Sequence, residues 1–94
     1  MKTITIYTAD YCPPCRYMHA HVLPGIEAEF PGQITEIDCR AEPHRAIAAG
    51  VKHLPAIDLC SDGQRVKRLT GRQQADTLRE WLGEEHDNST DYRA

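Results

Sequence analysis

The chain has 94 residues, 27% of them charged, and a formal net charge of −3. That length is one domain, able to bury about 60% of its unfolded surface and to fold without staples, so its four cysteines are not needed as a framework. The mild acidity argues against nucleic acid as a partner, and no apolar run approaches the ~20 residues of a membrane span.

Lys2 to Thr8 alternates and is β-branched, which predicts a strand near the centre of a sheet. Ala9-Asp10-Tyr11 is a loop that delivers Cys12-Pro13-Pro14-Cys15 to the start of a helix. Pro13 suits the first helical position, whose N–H has no partner in any case, and Pro14 still lies in the first turn. Met18, Val22, Ile26 and Phe30 then recur every fourth residue as a core stripe. Pro24-Gly25 predicts a kink in that helix, or a stop after Leu23 followed by a second short turn.

Pro31-Gly32 ends the helical stretch, and Gln33 to Asp38 reads as a second strand, parallel to the first through a right-handed crossover. Arg40 to Pro43 is a loop, with Pro43 opening a short helix over His44 to Ala49 and Gly50 capping it. Leu54-Pro55 leads into a third strand ending at Cys60. Ser61-Asp62-Gly63 is a hairpin signal before a fourth strand, Gln64 to Leu69. Thr70-Gly71-Arg72-Gln73 predicts a helix start, with Gln73 closing a capping box on Thr70. Ala75, Leu78, Trp81 and Leu82 form the buried stripe of that last helix. The expected fold class is α/β, a four-stranded mixed sheet with three helices in the order βαβαββα. Residues 1–83 are the expected domain, and 84–94 a polar tail that frays.

Two thiols three positions apart at a helix start point toward one small space. The helix N-terminus favours a thiolate at Cys12, which can attack a disulfide while Cys15 resolves the mixed disulfide. The alternatives are a zinc pair or an inert local disulfide, but zinc commonly takes a second paired motif and Cys39 and Cys60 are single and distant. Cys39 should fall at the same sheet edge as Cys12 and Cys15. Cys60 should fall at the opposite edge, too far for a bridge between the two. His19, His21, His44, His53 and His86 form no ligand set, and His19 and His21 are expected to be solvated. No metal site is expected.

A strand, Cys-Pro-Pro-Cys and a helix, then Gly50 to Ile57 around Pro55, then Arg68-Leu69-Thr70-Gly71, follow in order about 40 and 16 residues apart. On these motifs the chain resembles the thioredoxin-like superfamily, in its small thioredoxin or glutaredoxin branch. The resemblance implies that the first and third strands are central and adjacent, with the redox site at the C-terminal edge of the first. It implies Cys12 as nucleophile and Cys15 as resolving thiol, and a cis bond before Pro55. It places Leu54 beside an extended substrate segment, with Tyr11, His53 and Gly71 on the rim. Pro13 and Pro14 withhold N–H donors from the Cys12 sulfur, Asp10 opposes a thiolate and Arg16 favours one. These choices suggest a potential toward the reducing end of the roughly −120 to −270 mV family range.

The activity implied is reduction of protein disulfides by dithiol exchange, with no tightly bound cofactor. Electrons would come from thioredoxin reductase and NADPH, or from glutathione. The expected partners are disulfide-containing proteins and that donor, with no nucleic acid or membrane, and the protein acting as a monomer. With no basic stretch ahead of an apolar core at its start, the chain is expected in the cytoplasm.

Two departures stand out. Thioredoxins carry a buried acid on the first strand where this chain has Ile6, and glutaredoxins carry a Gly-Gly and an Asp where it has Gly71-Arg72-Gln73-Gln74-Ala75-Asp76. The rival readings are a glutathione-dependent glutaredoxin, with an iron–sulfur cluster bridged between copies as a variant of it, and a module that keeps the fold only to dock a partner.

Overall fold

Strand β1 (Lys2–Thr8) lies inside the sheet because both of its edges are paired. On one side β2 (Ile34–Asp38) runs parallel to it, with Ile6 opposite Glu36 and Thr8 opposite Asp38. On the other side β3 (Ala56–Ser61) runs antiparallel, with Tyr7 opposite Ala56. β4 (Gln64–Thr70) continues the antiparallel order from β3. The β3–β4 turn is a two-residue one in which Asp62 and Gly63 both take positive φ, 53° and 85°, the geometry that matches the twist of the flanking strands.

The computed structural model describes residues 1–83 and 92–93. Tyr92–Arg93 form a two-residue strand, β5, parallel to the end of β4, so the sheet order is β2-β1-β3-β4-β5 and has one strand more than expected. The rest of the expected frayed tail lies outside the described residues.

The first helical stretch is two helices, which makes four among the described residues where three were expected. α1 (Pro13–His21) stops at Val22 and α2 (Leu23–Glu29) follows at once. Pro24 is the reason: it has no N–H for the Ala20 carbonyl and its ring would crowd that carbonyl. Placed at the start of α2, where no donor is needed, it costs little. Met18, Val22 and Ile26 remain in line across the break and are almost wholly buried.

α3 (Pro43–Ala48) is closed by Gly50 at φ 72°. Val51 N–H donates to Ala46 at 2.9 Å and Gly50 N–H to Ile47 at 3.0 Å, the paired bonds of a glycine-closed helix end. α4 (Ala75–Gly83) begins four residues later than the sequence suggests. Thr70 still belongs to β4, paired opposite Ala56, so it cannot also cap a helix. The expected capping box is therefore absent, and the Gln73 amide instead donates to the Thr70 and Gly71 carbonyls at 3.2 and 3.3 Å.

The two sheet faces bury separate cores. Ile4, Ile6, Ile57, Leu59 and Leu69 pack against α1, α2 and α4, with Leu78, Trp81 and Leu82 from the last helix. Each such aliphatic side chain, fully buried, contributes about 1.5–3 kcal/mol. The other face, under α3, is a smaller core of Tyr7, Ile37, Cys39, Ala46 and Ala56. Between them, at the C-terminal edge of β1, Ala9, Cys12 and Cys15 form a third cluster with Leu54.

Candidate active site

Cys12 is the residue that caps α1, and its sulfur accepts the Cys15 backbone N–H at 3.3 Å. Pro13 and Pro14 occupy the first two helical positions, so Cys15 is the first residue of the helix with an N–H to give. The Cys15 thiol also donates to the Cys12 sulfur, 2.6 Å away. Cys12 keeps 8% of its surface in contact with solvent and Cys15 none. Burial, and then the hydrogen bond to Cys12, push the Cys15 thiol up from 9.0 to about 12, while a bond from the Ala9 backbone pulls the other way. Cys39 lies at the same edge as the pair, its N–H donating to the Thr8 carbonyl at 2.8 Å.

The loop before the pair is tied down from two sides. Arg16 donates to the Asp10 carbonyl at 3.1 Å, and Arg40 pairs with the Asp10 carboxylate at 3.2 Å. Asp10 is thus not a bare charge opposing a thiolate, as its sequence position suggested, because a guanidinium answers it. Tyr11 is 62% exposed. With Leu54 and the exposed Ile47 it borders a groove of about 270 Å³ that the buried Cys39 also lines.

Facing the cysteines is the start of β3. The Leu54–Pro55 bond is cis, and the Pro55 carbonyl accepts the Gly71 N–H at 2.9 Å. Gly71 holds φ 91° to make that bond, a conformation other residues adopt only with strain. Leu54 precedes the first ladder pair, Tyr7 with Ala56, and it packs against both the cysteine cluster and the α3-side core. His53 is exposed beside it. Cys12, Cys15, Tyr11, Leu54, Pro55 and Gly71 therefore gather at one sheet edge.

A sequence model of the thioredoxin family matches residues 2–84. A thioredoxin of Chlamydia muridarum is 36% identical over 73 residues, which is 77% of this chain and 71% of the relative. A thioredoxin of Staphylococcus aureus is 32% identical over 78 residues, 81% of this chain and 74% of the relative. The chain belongs to the thioredoxin family. In fold it is similar to mitochondrial thioredoxin 3 of Saccharomyces cerevisiae in its oxidized form, at TM-score 0.76 and 24% identity over 86% of this chain and 76% of that one. Fasciola hepatica thioredoxin gives TM-score 0.77 and 23% identity over 86% and 77% of the two chains. Thioredoxin family membership makes this protein a thiol–disulfide oxidoreductase, with disulfide substrates and a reductase as partners.

Where thioredoxins place a strand-one acid, this member has Ile6, wholly buried in the apolar core. The acid on that face stands one strand over. Glu36, opposite Ile6 in the β1–β2 register, accepts the Thr8 hydroxyl at 2.6 Å and meets His19 of α1. His19 is thus paired, not simply solvated, and neither Glu36 nor Arg40 was singled out from the sequence. A carboxylate on the Ile34 side of β2 was the visible signal for Glu36. Arg40 had none, since its partner Asp10 lies 30 residues away in the chain.

Cys39 and Cys60 are free, the first buried and the second half-buried. Burial raises both thiols above their ordinary value. Among the described residues no three His, Cys, Asp or Glu side chains gather as a metal set, and no helix is long and apolar enough to cross a membrane.

Proposed function

We propose that the protein reduces protein disulfides, with Cys12 as attacking thiolate and Cys15 as resolving thiol. The observation that supports this most is the unequal pair: an N-capping sulfur on Cys12, which keeps 8% solvent exposure, and the wholly buried Cys15 thiol 2.6 Å from it. Cys12 attacks one substrate sulfur, forming a mixed disulfide and releasing the other as a thiol. Cys15 then gives up its proton and attacks the Cys12 sulfur. The products are the Cys12–Cys15 disulfide and a fully reduced substrate, two electrons having passed to the substrate.

The substrate main chain runs along Leu54 beside Pro55 as an added strand. Gly71 shapes the same ledge, Tyr11 borders it on the groove side and His53 on the other. Asp10, Arg16, Pro13 and Pro14 set how far the Cys12 thiolate is stabilised. The chain acts as a monomer in the cytoplasm, bound to no permanent cofactor, and takes electrons from an NADPH-fed thioredoxin reductase in preference to glutathione. That preference is supported by the single glycine, Gly71, where a glutathione site would want two.

The test is NADPH-coupled reduction of a protein disulfide with thioredoxin reductase, and in parallel with glutathione and glutathione reductase. Turnover with the first is the expected result. Turnover with glutathione alone would make the protein a glutaredoxin in function, and silence with both would favour a docking role.

A further inference from the structure

The second half of the exchange needs a home for a proton. Cys15 must lose its S–H proton before its sulfur can attack, and it is wholly buried, out of reach of bulk water. Burial is also the largest cause that holds this proton, pushing the thiol up to about 12. Cys12 cannot take it, because in the mixed disulfide its sulfur is already bonded to the substrate. Cys39 is no base either, being a buried thiol that burial raises above its ordinary value. Ile4 and Ile6, lower on β1, present only hydrocarbon to α1.

A polar cluster lies against this end of α1. The Cys15 sulfur accepts a hydrogen bond from the Ala9 backbone N–H, which belongs to the amide joining Thr8 to Ala9. Thr8 shares the α1-facing side of β1 with Ile4 and Ile6 and is 2% exposed. Its hydroxyl donates to Glu36 Oε2 at 2.6 Å, and His19 Nε2 meets the same oxygen. His19 stands four residues after Cys15, on the same face of α1 and about 6 Å along its axis. The Glu36 and His19 side chains are 36% and 43% exposed, so the cluster runs from beside the buried thiol out to solvent. The other charged groups here are occupied. Arg40 pairs with Asp10, Arg16 holds the Asp10 carbonyl, and Asp38 accepts the Arg40 and Ala41 N–H at 2.9 and 3.4 Å. Tyr17 and His21 stack on each other, with Tyr17 bonded to Gln74.

We propose that Thr8, Glu36 and His19 form a proton relay for the resolving step. It rests on the reading that Cys12 attacks and Cys15 resolves. Cys15 passes its proton past the Thr8–Ala9 amide to the Thr8 hydroxyl, directly or through one water, and Thr8 passes its own proton to Glu36. His19, on the same carboxylate oxygen, hands it on to solvent. The Cys15 thiolate attacks the Cys12 sulfur, the Cys12–Cys15 bond forms, and the bond from Cys12 to the substrate sulfur breaks. The substrate leaves as a thiolate and takes a proton from water, so protons balance and two electrons have passed to the substrate. Glu36 and His19 touch no reacting atom. They are positioning residues that act through Thr8.

The test is stopped-flow reduction of dithiobis(nitrobenzoic acid), a disulfide whose released thiolate is yellow, by the reduced protein. Two steps of colour are expected, the first on attack by Cys12 and the second on resolution by Cys15, and Cys15→Ser should lack the second. Glu36→Gln keeps an acceptor for Thr8 and loses the base. Its second step should slow by about tenfold to hundredfold near pH 7, with the first kept within about twofold. Thr8→Val should slow the second step likewise, and Glu29→Gln, at the far end of α2, should change neither. The deficit closes toward about pH 10, where hydroxide takes the proton unaided. Because both steps are read on the same molecules, a misfolded fraction lowers both amplitudes and leaves the rates. A second step at the unmodified rate in Glu36→Gln and Thr8→Val overturns the relay. So does equal slowing of both steps, or a deficit that persists unchanged to high pH. A missing first step in the unmodified protein would overturn the reading of Cys12 and the relay with it, whereas an intact first step with an unaltered second overturns the relay alone.

Discussion

Cys15 touches the Cys12 sulfur twice over, through its thiol at 2.6 Å and through its backbone N–H at 3.3 Å. The two bonds make the pair unequal: the Cys12 sulfur is a shared acceptor, the Cys15 thiol a wholly buried donor. Cys12→Ser is expected to lower kcat/KM for disulfide reduction by about a thousandfold or more, since the attacking group is gone. Cys15→Ser leaves attack in place and removes resolution, so the mixed disulfide should accumulate. Mass spectrometry under non-reducing conditions reads this as an adduct of substrate mass on Cys12. An adduct on the Cys12→Ser protein instead would reverse the two roles.

The buried thiol also predicts a pH dependence of stability. Its value rises from 9.0 in a free chain to about 12 in the fold, through burial first and the Cys12 bond second. The folded protein therefore holds that proton more tightly than the unfolded chain does. The stabilisation is complete below pH 9.0 and is lost as pH climbs toward about 12. Urea midpoints of the reduced protein, taken at about pH 7 and about pH 10.5, should fall further than those of Cys15→Ser. Equal falls in the two proteins would assign the loss to other groups.

Pro14 withholds one donor from the Cys12 sulfur. It occupies the second helical position, whose N–H, with that of the third, is the usual partner of an N-capping acceptor. Pro14→Ala restores that N–H, and a hydrogen bond to a charged acceptor favours the thiolate by about 1.5–3 kcal/mol. A better-stabilised dithiol state makes the disulfide a stronger oxidant. The expected change is about 30 mV upward, tenfold in the exchange constant, measured by equilibration in a glutathione buffer. A downward shift would mean that the proline's rigidity matters more than its missing donor.

Local patterns carried most of what the sequence disclosed. The alternation in Lys2–Thr8, the Asp62-Gly63 turn and the Gly50 helix end each follow from the few residues around them, and each lies where those residues put it. Cys-Pro-Pro-Cys after a strand was enough to place the nucleophile at a helix start. What stayed hidden was decided between distant segments. Thr70 had the side chain to cap a helix, but its backbone is taken up by pairing with Ala56. Arg40 reaches Asp10 only because the ends of β1 and β2 lie side by side. Glu36 meets Thr8 and His19 for the same reason.

Asp58 and Arg68 face each other across β3 and β4, 3% and 6% exposed, with two bonds between carboxylate and guanidinium. Arg68 extends that pair to the Ala49 and Gly50 carbonyls, so one guanidinium joins the sheet to the segment that leads into Leu54 and Pro55. Asp58→Ala removes the carboxylate and leaves a buried positive charge without it, at an expected cost of about 3–5 kcal/mol. Asp58→Leu combined with Arg68→Met should cost far less, because the apolar pair removes both charges from the interior. Urea denaturation of the single and double variants measures that coupling, and strictly additive effects would show that the two groups act separately. If the pair also positions the substrate ledge, the apolar double variant will regain stability but not KM. The Ala49 and Gly50 carbonyls will then have lost the donor that held them.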